Sequence, residues 1–106
     1  MFVAYDNALE CIRRVKPLVA AIAKHDPSLA DQLLRAASAV PLDVAEGGRR
    51  SGKDPARLYR MGAGSAAESI ACLDVALAWG WLTDAQCAAA RASFDRELAL
   101  LHGLTR

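Results

Sequence analysis

Three short interruptions cut this chain into four segments, each carrying apolar residues at three- and four-residue steps, and that division leaves little room for anything but a helical bundle. The interruptions are His25-Asp26-Pro27, Gly47 to Pro55, and Gly80 to Thr83. An aspartate before a proline starts a helix, because the carboxylate accepts from the first free amides and proline's fixed φ suits the first turn. Asp26-Pro27 and Asp54-Pro55 both have this form. Glycine ends a helix by taking the left-handed conformation, so Gly47-Gly48 is expected to close the second segment and Gly80 the third. Thr83 with Gln86 three residues on forms a capping box that opens the fourth. Connections this short force neighbouring helices antiparallel. The expected fold is therefore all-α, an up-down-up-down antiparallel four-helix bundle, in one domain over residues 1–106.

The apolar steps place the faces. In the first segment Phe2, Tyr5, Leu9, Ile12, Val15, Val19 and Ile22 trace a stripe on a helix from about residue 5 to residue 24. Pro17 predicts a kink there near Arg13. The second helix carries Leu29, Leu33, Ala36, Val40 and Val44, with Pro41 marking a bend one turn from its end. The third runs from Pro55 to Trp79 with an apolar arc too wide for one contact: Leu58, Met61, Ser65, Cys72, Ala76 and Trp79 on one face, Ala66, Ile70, Leu73 and Leu77 beside it. Gly62, Gly64, Ser65, Ala66 and Ala67 make a patch where another helix backbone can approach closely, in this chain or in another subunit. Cys87, Ala90, Phe94, Leu98 and Leu101 give the fourth stripe. Trp79 and Trp81 continue apolar stripes and are expected to anchor the core.

Hydrophobic residues make up 54% of the chain but aromatics only 6%, so the core is built mainly from alanine, leucine and valine. Cys11, Cys72 and Cys87 are odd in number and stand in apolar helical settings without metal-binding spacing, which reads as reduced core thiols. The N-terminus lacks the basic region and apolar run of a signal peptide. The most apolar stretch, Ala66 to Leu82, contains Glu68 and Asp74, which argues against a membrane span. A cytoplasmic protein is expected. His25 and His102 each stand alone, Glu46 and Glu68 are too far apart on a hairpin for acid/base work, and the Glu-x-x-His pairs of a diiron bundle are missing. No catalytic residue, no metal site and no cofactor are expected, and the chain is read as not an enzyme.

Charge supplies the one candidate ligand surface. Residues 47–60 hold Arg49, Arg50, Lys53, Arg57 and Arg60 against Asp54 alone, a local charge of +4 in a protein whose net charge is +1. Two readings stand side by side. The cations bind the phosphates of RNA or DNA, or they are committed to carboxylates of the bundle and the protein is a structural or protein-interaction module. A trial hairpin register in which facing positions add to about 103 gives the second reading its form. It pairs Glu46 with Arg57, Asp43 with Arg60, and Arg35 with Glu68.

The run Ser38-Ala39-Val40-Pro41-Leu42-Asp43-Val44-Ala45-Glu46-Gly47, the basic turn, and Gly64-Ser65-Ala66-Ala67-Glu68 together resemble the proteins encoded in 23S ribosomal RNA intervening sequences. Relatives of that family include the accessory proteins of diversity-generating retroelements. The motif positions are Pro41, Glu46, Gly47, Gly64, Ser65 and Glu68. Asp43 stands where the family usually has asparagine, and Gly48 with Arg49-Arg50 alters the turn. The resemblance implies an up-down bundle, self-association as a ring with pentamers among relatives, and no established enzyme activity. For the retroelement relatives it implies binding of nucleic acid and of a reverse transcriptase.

Overall fold

The computed structural model describes residues 2–52 and 54–106. Four α-helices account for nearly all of them: α1 (Val3–Ala23), α2 (Pro27–Gly47), α3 (Asp54–Trp79) and α4 (Asp84–Thr105). Each packs on its two neighbours in an antiparallel bundle, α2 against α3 most extensively. By length and mean hydropathy α3 could cross a membrane, but it presents contact faces to both α2 and α4, as the core helix of a bundle does.

The punctuation works largely as its chemistry dictates. Asp26 Oδ1 accepts from the amides of Ser28 (3.0 Å) and Leu29 (3.2 Å), with Pro27 in the first turn. Thr83 and Gln86 form the reciprocal capping box. Gly80, at φ +80°, ends α3: its amide bonds to Leu77 and that of Trp81 reaches back to Ala76, which satisfies the last carbonyls. Both α1 and α2 run without a break through Pro17 and Pro41.

Gly47 departs from expectation. It is the last helical residue of α2, and Gly48 after it keeps right-handed angles (φ −67°, ψ −15°). Steric access takes the place of left-handed freedom as the reason for glycine: a Cβ on Gly47 would lie 2.6 Å from Cε1 of the buried Tyr59. One turn deeper, Gly62 of α3 lies against Val44 and Asp43 of α2 and Leu101 of α4. Gly64, from the same small-residue patch, has open space around it. Asp54, expected to cap α3 from outside, lies within its first turn.

The core face of α1 is turned from the expected stripe. Ala4, Asn7, Ala8, Cys11, Val15, Leu18 and Ile22 are buried, while Tyr5, Leu9, Ile12 and Val19 are only partly covered. Small residues face inward in the first half of α1, at Ala4, Ala8 and Cys11, while Val15, Leu18 and Ile22 fill the second half. On α3, Met61 (48% exposed) and Trp79 (69%) leave the predicted face, and Tyr59, Gly62 and Ser69 join the buried one. Trp79 anchors no core. It stacks on Trp81 at 5.6 Å, and Trp81 on His25 at 5.4 Å, so three rings close the end of the bundle opposite the basic turn. All three cysteines are buried and unpaired.

The two glycine environments separate in a stability measurement. Gly47→Ala overpacks against Tyr59 and should lower unfolding free energy by about 1–3 kcal/mol. Gly64→Ala meets nothing and removes a helix-interior glycine, so it should raise stability by up to about 1 kcal/mol. Urea denaturation followed by circular dichroism checks both signs.

Candidate nucleic-acid interface

The chain direction gathers positive charge at one end of the bundle. The N-termini of α1 and α3 lie at the end where α2 and α4 finish, as the Gly62 to Leu101 contact requires. Arg49, Arg50, Arg57 and Arg60 are all exposed there. Arg106, just past α4, joins them from a part of the sequence that spacing alone did not connect to the turn. The partial charges of the two helix N-termini and two helix C-termini at this end offset one another, so its positive character comes from the side chains. Phe2, packed on Tyr59 with ring centroids 6.2 Å apart, sits beside Gly48 and is 38% exposed.

Within this corner the cations divide. Arg50 spans the turn, donating to Glu46 Oε1 at 2.6 Å and to Asp54 Oδ2 at 3.4 Å. The hydrogen bond to Glu46 holds its guanidinium still more firmly protonated. It is a clasp joining the end of α2 to the start of α3. Arg49, Arg57 and Arg60 make no ion pair among the described residues, and Arg57 donates only to the thioether of Met61 at 3.5 Å. Lys53, the fifth cation expected in the patch, lies outside the described residues.

None of the three trial ion pairs forms. Glu46 takes Arg50, one turn along, and Arg35 takes Asp31 at 2.7 Å within α2. Glu68 instead accepts from Gln32 at 3.4 Å. The reason is geometric. Gly47 meets Tyr59 and Val44 meets Gly62, positions that add to 106, whereas Gln32 and Glu68 add to 100, so no constant register holds along the hairpin. Arg35 and Arg50 then pair with carboxylates four residues away in the chain, which need no help from the crossing geometry.

The other motif positions are mostly structural. Pro41 is buried, Gly47 admits Tyr59, and the Ser65 carbonyl accepts from Ser69 Oγ at 2.9 Å. Gly64 and Glu68 face solvent. Asp43 is half-buried beside Gly62; burial first, then the charge of Glu46, pushes its carboxyl upward.

One polar cluster escaped the sequence reading. Glu97 is completely buried (0% exposed) and accepts from Asn7 Nδ2 at 3.0 Å, while Asn7 also donates to the Ser93 carbonyl at 3.0 Å. Its second oxygen, Oε2, is buried with no partner. Desolvation pushes the carboxyl above the ordinary range, opposed by Asn7 and by Arg96. Beside it the thiol of Cys11 is pushed up to about 12 by burial and then by the Glu97 charge. The signal was present: Cys87, Ala90, Phe94, Glu97 and Leu101 step by three and four residues, so Glu97 holds a core position. No group of three or more potential metal ligands occurs among the described residues.

A bundle of four antiparallel helices with a short basic turn joining its second and third members defines a class of small all-α proteins. Within that class the chain belongs to the 23S rRNA-intervening sequence protein family, whose model matches residues 2–103. It is also similar to a solved structure from Bacteroides thetaiotaomicron, described as a protein of unknown function from the S23 ribosomal protein family. The two share a TM-score of 0.89 at 17% identity over 97% of this chain and 98% of that one. At that identity the likeness shows the fold. No curated protein matches the sequence.

Burial of Glu97 has a pH consequence of defined sign. The folded state holds the Glu97 proton more tightly than the unfolded state, so this group's contribution is largest in acid. It is lost as pH rises from the ordinary carboxylate range through the raised folded value. Glu97→Gln should therefore flatten the fall in melting temperature between pH 5 and pH 8. Asn7→Ala should cost about 1.5–3 kcal/mol in urea denaturation, because it leaves the buried Glu97 carboxyl without its donor.

Proposed function

We propose that this protein is a non-enzymatic bundle whose basic end binds the phosphates of RNA or DNA, with self-association setting several such ends in one particle. One observation carries the reading: Arg49, Arg57 and Arg60 are exposed at a single end of the bundle with no carboxylate partner among the described residues. Charges left unpaired at the surface keep their full attraction for an anionic polymer, and each neutralised phosphate releases counterions. The competing module reading needed Arg57 and Arg60 to hold the bundle together, and neither meets a carboxylate among the described residues.

The test is a pair of variants with opposite outcomes. Arg49→Ala, Arg57→Ala and Arg60→Ala combined should weaken binding to a duplex DNA or a structured RNA by at least about tenfold near 0.1 M salt, since three phosphate contacts are removed. The melting temperature should not change. Arg50→Ala should lower stability only slightly, since exposed ion pairs are screened by water and salt, and weaken binding less. Fluorescence anisotropy reads the first effect and thermal denaturation the second. Equal binding by the wild type and the triple variant would refute the reading.

A further inference from the structure

Six aromatic side chains occur in the chain, and all but two are buried or half-buried. The exceptions are Trp79 and Phe2. Trp79 lies at the end of the bundle away from the basic turn and is stacked on Trp81. Phe2 stands at the basic end, 38% exposed. Its position is fixed from three sides. The Phe2 carbonyl accepts from the amide of Asp6 at 3.0 Å, which opens the hydrogen-bond ladder of α1. The ring packs on that of Tyr59, tilted by 56°, and its Cε2 atom lies 3.7 Å from where a Cβ on Gly48 would stand.

The two residues that seat the ring are each followed in the chain by an arginine, Gly48 by Arg49 and Tyr59 by Arg60. Both arginines are exposed and make no ion pair among the described residues. The carboxylates of this corner are drawn elsewhere: Arg50 takes Glu46 and Asp54, and Asp6 is half-buried in the first turn of α1. Guanidinium groups alone would hold the phosphates of any nucleic acid, and a ring between them is of use only to a ligand that also offers an apolar face. In a duplex the base faces are stacked on one another and out of reach. In a single strand they are free, every base has one, and phosphates flank it on both sides. Ring and cations on this corner match that alternation.

We propose that the basic end is a site for single-stranded nucleic acid, with Phe2 as the platform on which an unpaired base stacks while Arg49 and Arg60 hold the flanking phosphates. The proposal deepens the phosphate-binding reading above and rests on it. The two kinds of contact respond differently to salt. Each arginine that neutralises a phosphate releases counterions and adds to the salt slope, whereas stacking on Phe2 releases none and adds affinity that persists at high salt.

The test uses an unstructured pyrimidine strand of about 12 nucleotides, made as RNA and as DNA, and the blunt duplex of each with its complement. At about 0.2 M salt the wild-type protein should bind the single strands at least about fivefold more tightly than the duplexes, the scale of one base on one ring. A preference between the RNA and the DNA strand identifies the natural source, because ring and cations recognise features that the two share. Phe2→Leu keeps an apolar side chain over Tyr59 but has no aromatic face. It should lose about fivefold in single-strand affinity while its duplex affinity and its salt slope stay those of the wild type. Phe2→Tyr should bind as the wild type does, which ties the loss to the aromatic face rather than to packing on Tyr59. Equal wild-type affinity for single strand and duplex, or a Phe2→Leu variant that holds the single strand as tightly as the wild type, overturns the stacking site and leaves phosphate binding standing. Failure to bind any of the probes at low salt overturns both.

Discussion

One glycine lets α3 approach α2 more closely than a side chain would allow, and the arrangement of the charged end follows from that approach. Gly47 gives room to the ring of Tyr59, whereas a methyl group at Gly62 would make only ordinary contacts with Val44 and Leu101. A methyl group at Gly47 would collide with a buried aromatic. With the two backbones close, the connection between α2 and α3 is short, and Arg50 can reach carboxylates on both sides of it. The clasp and the close packing hold Arg49, Arg57 and Arg60 on one rim. A looser hairpin would scatter the same charges.

The second organising element is polar. Asn7 on α1 reaches Glu97 and the Ser93 carbonyl on α4, a seam otherwise made from residues as small as Ala4, Ala8 and Ala90. A buried carboxylate with one unpaired oxygen is a poor source of stability. It does fix which residues of α1 and α4 meet, because any slip would leave both polar side chains buried without partners. Tyr5, Ile12 and Val19 of α1 are only partly buried and pack at the margin of the same core.

Much of this was legible in the chain. Asp26, Thr83 with Gln86, and Gly80 act through local chemistry that depends on a few neighbouring residues, so the number and order of helices could be read directly. The motif from Ser38 to Glu68 pointed to the family that the sequence match establishes over residues 2–103. What escaped depends on contacts between segments. The stripe of α1 was placed by residue size, yet close packing prefers alanine inside. Gly47 looked like a stop signal because a sequence shows glycine without showing Tyr59 above it. Trp79 was taken for a core residue because its spacing fits, but it falls in the last turn of α3, largely exposed, and stacks on Trp81 instead. The ion pairs failed because a constant register ignores helix crossing. Of the candidate site, four of the cations stand at one end as expected, while the commitment of Arg50 and the proximity of Arg106 required the fold.

If the basic end exists to meet phosphates, affinity must depend on salt in proportion to the cations that are free. Three unpaired guanidinium groups per chain give an expected slope of about −2 to −3 in log affinity against log salt, or roughly a 40-fold loss between 50 and 200 mM. The measurement is the affinity of the wild-type protein for a duplex DNA and a structured RNA across that range, expressed per chain. A slope near that value supports the account. A salt-independent affinity, or no binding at the lowest salt, contradicts it and leaves the rim of arginines as a solvated surface.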